Sequence, residues 1–255
     1  MSDVTKRLPI VQINGEEIVR KDDYVIREAH VAIYIEENQV LSAPCLDSER
    51  ELFVYGALFT QKGIFPQDVE RIEWKGLTVF VHLKEGAAAA EGTPGLVQAP
   101  LEPLFSARAI SSLVERFQKI SELFKTTGAV HVAALCSSDQ ILYWYEDISR
   151  RTAIDKVIGK WLLSGRDTGG RDTVGRETVG QARRSGPVED LFLLTSGRIS
   201  TDILMRAVRI GIPMMASVAP PSDKAVEIAH KQRLTVVGFA RPPRMNVYSH
   251  SVRIK

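Results

Sequence analysis

Arginines placed beside small, hydroxyl-bearing turns are the residues of this chain best suited to chemistry. Ser196-Gly197-Arg198 follows one apolar run and Arg241-Pro242-Pro243-Arg244 follows another. A guanidinium is a planar fork of donors matched to phosphate or carboxylate oxygens. Gly197 would let a ligand approach the backbone closely. Pro242 and Pro243 stiffen the turn between its two arginines and remove two N–H donors. Beyond Glu227 there is no acidic residue, whereas Lys231, Arg233, Arg241, Arg244, Arg253 and Lys255 are basic. Together these features predict a pocket for an anionic, nucleotide-type ligand. Phe239 and Tyr248 could stack on a base, although a lone aromatic beside a strand is more often core. Any one of the arginines, taken singly, reads as a surface residue, so their placement by the fold decides.

The elements that must place them follow from periodicity. Leu191–Leu194, Met214–Val218 and Leu234–Ala240 read as apolar strands. Two amphipathic helices lie between them, Thr201–Ile210 with Ser200 as its cap, and Asp223 to about Gln232. This β-α-β-α-β order predicts a parallel sheet covered on both faces. Right-handed crossovers put the strand C-termini on one edge, where ligands bind. Three loops should meet there: 195–200, 219–222 and 241–244. Two of them enter helix N-termini, which favour anions.

Upstream, Ser106 should cap one long helix ended by Gly128, followed by strands Val130–Leu135 and Ile141–Tyr145 and a helix over 149–163. The first hundred residues read as strand-rich. Asn14-Gly15 signals a hairpin between Ile10–Ile13 and Ile18–Arg20, and Tyr24–Ile35 reads as one strand. A helix capped by Asp47 runs to Lys62, and strands cover Val69–Trp74 and Leu77–Leu83. Residues 85–103 have no periodicity and read as a flexible connection. The division is thus a strand-rich region, 1–104, and an α/β domain, 105–255. Residues 165–184 repeat Gly-Arg-Asp/Glu-Thr with a period of five, which favours a mobile surface loop over a phosphate-gripping lid.

Other candidates are weaker. Asp155 and Lys156, after Arg150-Arg151, read as a solvated helix end rather than a site. His131 opens a strand and reads as a hydrogen-bonded structural histidine. Cys45 is expected in an exposed loop and Cys136 in the core, with no metal-ligand spacing between them. A zinc deaminase is excluded, because no histidine is followed two residues later by glutamate and no cysteine pair exists. With 33 basic and 31 acidic residues the net charge is +2, which does not suggest a nucleic-acid partner. No run approaches the roughly 20 apolar residues of a membrane span. Met1–Arg7 carries no apolar run, which predicts no signal peptide and a cytoplasmic protein.

Several segments resemble the formate dehydrogenase accessory proteins, the sulfur carriers that mature the molybdenum cofactor. They are LFVYGALFTQKGI from residue 52, TTGAVHVAALC from 126, EDISRRTAIDKVIG from 146, SGRIS from 196, GIPMMASVAPPSDKAVEIA from 211 and GFARPPRMNVYSH from 238. The resemblance implies a cytidine-deaminase-like three-layer α/β C-terminal domain and a homodimer. It implies passage of persulfide sulfur from a cysteine desulfurase to the bis(molybdopterin guanine dinucleotide) molybdenum cofactor of formate dehydrogenase. It also assigns cofactor binding to Phe239, Ala240, Arg241, Pro242, Pro243 and Arg244. The family's CxxC motif is missing: the matching stretch is Glu91-Gly92-Thr93-Pro94-Gly95-Leu96. Its GRHNA segment reads Ser149-Arg150-Arg151-Thr152-Ala153, without the histidine. The expectation is a protein that binds the cofactor or a guanine nucleotide without the persulfide step. The alternatives are a sulfurtransferase using Cys45, and a regulatory or interaction module.

Overall fold

The computed structural model describes residues 4–87, 97–164 and 188–255. The stretch matching the CxxC motif and the repeat at 165–184 lie outside the described residues. Asn14-Gly15 does close a hairpin, with Gly15 at φ 64° as a left-handed turn requires. Its strands, β1 (Thr5–Asn14) and β2 (Glu17–Ile26), are much longer than the apolar pattern indicates. The single strand expected over Tyr24–Ile35 is two, because the chain leaves β2 at Ile26 and enters β3 (Glu28–Ile35). Strand β4 (Asn38–Leu46) has no clear alternation in sequence and was not expected. With β5 (Val69–Lys75) and β6 (Thr78–Leu83) it forms a four-stranded sheet ordered β4-β3-β6-β5.

Helix α1 (Arg50–Lys62) packs on that sheet through Phe53, Val54, Ala57 and Leu58. Asp47 does not cap it. Glu49 takes that position in a left-handed conformation, and Asp47 pairs with Arg50 at 3.3 Å. The long helix expected after Ser106 is broken into α2 (Ala107–Lys119) and α3 (Glu122–Thr127). Ser121 breaks it, accepting the Phe124 N–H at 2.8 Å as a new cap.

The C-terminal half is built on a six-stranded sheet ordered β12-β11-β10-β9-β7-β8. Its strands are β7 (His131–Cys136), β8 (Ile141–Asp147), β9 (Phe192–Thr195), β10 (Met214–Ser217), β11 (Thr235–Arg241) and β12 (Arg244–Ser249). Strands β9, β10 and β11 are parallel, as the β-α-β-α-β pattern predicts. The sheet is nevertheless mixed, since β7, β8 and β12 run antiparallel to their neighbours. Helices α4 (Arg150–Ser164), α5 (Thr201–Ile210) and α6 (Asp223–Lys231) cover one face, meeting Leu193, Met215 and Val236. Helix α2 covers the other, meeting Leu194, Met214 and Val237. The three layers follow from strands apolar on both sides.

The two halves touch through α1 and α4 at glycines. A Cβ on Gly56 would sit 1.8 Å from the Asp155 carbonyl oxygen, and one on Gly159 would sit 1.9 Å from that of Leu52. Beside this crossing lies a layer of buried charge. Asp155 accepts from Arg206 at 2.8 and 3.0 Å and from Thr60 at 2.8 Å. Lys156 lies 2.7 Å from Asp147, and both are almost completely buried. Asp155 and Lys156 are therefore core ion-pair residues and not a solvated helix end. The apolar flanks Ile154, Val157 and Ile158 carry them inward. Arg253, counted above with the basic surface, is also fully buried. It donates to the carbonyls of Ala99, Pro100 and Arg233 at 2.8, 2.8 and 2.6 Å.

Candidate functional site

Parallel strands β9, β10 and β11 end at a common rim. Because β7 runs antiparallel to β9, its first residue, His131, arrives at the same rim. Because β8 ends opposite His131, so does the start of α4. The loops are joined to one another. Ile199 donates to the Pro220 carbonyl at 3.2 Å, and Ser222 to the Ile199 carbonyl at 2.9 Å. Ser217 donates to the Gly197 carbonyl at 2.7 Å. The starts of α4, α5 and α6 thus share one edge, where unpaired N–H groups and helix dipoles favour negative charge.

The α5 start keeps its donors open in an unusual way. Ser200 occupies the cap position but makes no capping bond, because its hydroxyl donates to Asp202. Burial opposes charge on Asp202, yet Ser200 and Arg151 outweigh it and lower its pKa. The start of α6 is closed conventionally by Ser222, which accepts the Ala225 N–H at 3.3 Å.

Arg150 is the central cation of the rim. Its stem crosses Gly197, where an added Cβ would lie 2.8 Å from the Arg150 Cδ and 3.4 Å from the His131 Nδ1. Gly197 thus makes room for the Arg150 stem, and its own N–H donates to Thr195 Oγ1 at 3.2 Å. Arg150 Nη2 donates to Ser200 Oγ at 3.4 Å, while its Nε is buried with no hydrogen-bond partner among the described residues. His131 Nδ1 lies 3.4 Å from Ser196 Oγ, and that same oxygen accepts the Val132 N–H at 3.0 Å. Burial, and then the Arg150 charge, hold the His131 pKa below the usual imidazole value.

A cavity of about 390 Å³ opens beside Ser196 and Val218. Phe117 and Ser121, at the break between α2 and α3, form one wall, and His131 and Ile148 form another. The lining is mainly apolar with a few converging polar groups, as small-molecule sites tend to be.

Of the sequence candidates, Ser196 lines this cavity, Gly197 is buried beneath Arg150, and Arg198 is exposed. The 239–244 stretch is the end of β11 and a hairpin into β12, not a loop leaving the sheet. Phe239 sits at φ 49° in a register shift of that hairpin and donates its N–H to the Ala219 carbonyl at 3.3 Å. Ala240 is buried. Arg241, Pro242, Pro243 and Arg244 are exposed at the tip, with Pro242-Pro243 cis. Arg241 Nε reaches back to the Val218 carbonyl at 3.1 Å, tying the tip to the end of β10. Sequence reasoning missed Arg150 and the α2–α3 wall, and it gave His131 a structural role only. A helix beginning directly after an antiparallel strand pair was the available signal for Arg150.

Both cysteines are free and buried. Cys45 lies in β4 and is fully buried, contrary to the exposed loop expected. Burial, reinforced by Asp147, pushes its thiol up to about 11. Cys136 is buried in β7 as expected, and burial raises its pKa still further. A thiol that is neutral and enclosed is a poor nucleophile. No group of three metal-ligating side chains exists among the described residues.

Fold and rim together define the class: an α/β protein whose three-layer C-terminal half brings helix starts and Arg150 to one sheet edge, with a mainly apolar cavity lined there by His131 and Ser196. Residues 95–255 match the FdhD/NarQ family, and the chain belongs to that family. It is 28% identical over 272 residues to the "Sulfur carrier protein FdhD" of Halalkalibacterium halodurans, covering 96% of this chain and 93% of that one. The Listeria monocytogenes protein of the same name is 37% identical over 145 residues, covering 57% of this chain and 48% of its own. Among solved structures, a chain described as a formate dehydrogenase accessory protein from Desulfotalea psychrophila superposes with a TM-score of 0.77. That match covers 99% of this chain and 100% of the other at 24% identity, and it establishes the shared fold. No helix among the described residues is long and apolar enough to cross a membrane.

Proposed function

We propose that this chain is a formate dehydrogenase accessory protein that receives a guanine nucleotide group at the rim. The group arrives free or as part of the bis(molybdopterin guanine dinucleotide) molybdenum cofactor, which is cargo for the dehydrogenase. The reading rests chiefly on Arg150, a cation whose stem packs over Gly197, next to the cavity-lining Ser196, with its Nε buried and unpartnered among the described residues. A buried donor without an acceptor is costly, and a phosphate oxygen would supply the missing partner. Open N–H groups at the α5 start and the exposed tip arginines, Arg241 and Arg244, extend the same positive edge. The apolar lining of the cavity suits a planar ring. In this reading residues 105–255 are the binding unit, and the protein works in the cytoplasm.

The chain acts as a binder without the persulfide step. Both of its thiols are enclosed in core strands, and residues 91–96 contain none. The client, formate dehydrogenase, is taken from the description of the Desulfotalea psychrophila structure; a cysteine desulfurase has no accessible thiol to load among the described residues.

Calorimetric titration of guanosine diphosphate at fixed salt tests the site. Replacing Arg241 and Arg244 together by alanine should weaken binding about tenfold or more, since each charge-assisted bond contributes roughly 1.5–3 kcal/mol. Unchanged affinity rejects the proposal.

A further inference from the structure

Ser196 and His131 have a pairing that nucleotide binding leaves unused. Both line the cavity of about 390 Å³, and Ser196 Oγ lies 3.4 Å from His131 Nδ1. Strand pairing puts them there. Thr195, at the end of β9, stands opposite Ala133 of β7, so the residue after β9 meets the first residues of β7. The Ser196 N–H donates to the Val132 carbonyl at 2.9 Å, and the Val132 N–H donates to Ser196 Oγ at 3.0 Å. The second bond fixes the serine side chain and leaves its own hydroxyl proton free to point at His131. With the imidazole assigned as its Nε2–H tautomer, that bond runs from the hydroxyl to Nδ1. Burial, and then the Arg150 charge, favour this neutral imidazole. A neutral imidazole accepting from a serine hydroxyl is a nucleophile and its base, and such bonds are often long before substrate is bound.

Arg150 completes the group. Its Cδ and His131 Nδ1 flank Gly197, the residue directly after the serine, at 2.8 and 3.4 Å from where a Cβ would stand. The Nε bonded to that Cδ is buried with no partner among the described residues. An incomplete charged donor beside a nucleophile suits an oxygen that gains charge during reaction. Phe117, Val130, Val132 and Val218 make the rest of the cavity wall apolar, which suits a hydrocarbon chain. We infer that Ser196 and His131 are a catalytic pair that hydrolyses short-chain carboxylic esters, with Arg150 stabilising the oxyanion. Ser196 Oγ bonds to the ester carbonyl carbon, its proton passes to His131 Nδ1, and the carbonyl electron pair moves onto oxygen beside Arg150. That pair then returns, the bond to the leaving alcohol breaks, and the alkoxide takes the proton from His131. Water repeats both steps on the acyl-serine, again through His131, and releases the carboxylic acid and free Ser196.

Hydrolysis of p-nitrophenyl butyrate and labelling by diisopropyl fluorophosphate test this on the full chain. Both are run without nucleotide, so the result is read separately from that of the binding proposal. The wild type should turn over the ester and carry the diisopropylphosphoryl group on Ser196, located by peptide mass spectrometry. Ser196→Ala should lower the rate about a hundredfold or more, to the background of the remaining side chains. His131→Asn should lower it about as far and suppress the labelling, because an amide cannot take up the serine proton. Butyrate should be cleaved about tenfold faster than acetate, since two further methylenes enter the apolar wall. The labelling is read on the wild-type protein, so it decides the matter even where a variant fails to fold. No label on Ser196, a Ser196→Ala variant as active as the wild type, labelling and turnover indifferent to His131→Asn, or acetate cleaved as fast as butyrate would each overturn the inference.

Discussion

Arg206 and Arg150 both reach the first turn of α5, yet the fold uses them oppositely. Arg206 donates to the Asp202 carbonyl at 2.9 Å and gives its other donors to the Asp155 carboxylate. Arg150 makes one long bond to Ser200 and leaves its Nε without a partner among the described residues. Arg206 keeps company with two carboxylates, and they hold its pKa up against the cost of burial. Burial, and then the charge of Arg150, favour the neutral form of His131 in the same rim. A charge that completes its bonding inside the chain supports architecture. A charge that stays incomplete beside the rim is the one the proposed function assigns to a ligand.

The largest test of the architectural side is Gly159→Ala. Its Cβ would meet the Leu52 carbonyl oxygen, which is backbone and cannot step aside. Separating α1 from α4 should cost about 4 kcal/mol or more, seen as loss of the thermal transition or of soluble protein. Asp155→Ala comes next. It strands the Arg206 guanidinium in the core, and removing one partner of a buried pair costs roughly 3–5 kcal/mol, measured by urea denaturation. The effect on guanosine diphosphate affinity should only follow the folded fraction.

The rim should respond to pH more gently. The folded pKa of His131 lies below that of a free imidazole, so the unfolded chain binds the extra proton first. Stability from this group is complete above the ordinary value of 6.5 and is lost as pH falls through the lowered folded value. A bound phosphate would pull that pKa back up. Nucleotide binding should therefore tighten as pH falls toward the lowered folded value and be accompanied by proton uptake, with His131→Asn abolishing the dependence. The smallest expected effect belongs to the thiols. Iodoacetamide should label neither Cys45 nor Cys136 in the native protein and both in urea, as followed by mass spectrometry.

Much of the C-terminal half was legible before any coordinates. Strands that are apolar on both faces, such as Phe192–Thr195, can only be interior, and the helices between them carry clear stripes. What escaped were features set by long-range pairing. The antiparallel placement of β7 and β8 brings His131 and Arg150 to the rim, and nothing local in TTGAVHVAALC announces it. Cys45 looked exposed beside Pro44 because β4 lacks alternation, and only pairing with β3 buries it. Asp155 and Lys156 looked solvated because charge normally is. Their partners, Arg206 and Asp147, stand 51 and 9 positions away in sequence. Ser121 reads as one more polar residue in a helix until its cap bond to Phe124 is seen. The tip arginines were found, but as a loop, since Pro242-Pro243 hid the hairpin into β12.

The comparison between the two arginines reduces to one experiment on Arg150→Ala, in which thermal stability and guanosine diphosphate affinity are measured on the same sample. If Arg150 is open to a ligand, stability should change by no more than about 1 kcal/mol while affinity falls tenfold or more. A large loss of stability with affinity unchanged would contradict the account, for it would make Arg150 a second Arg206.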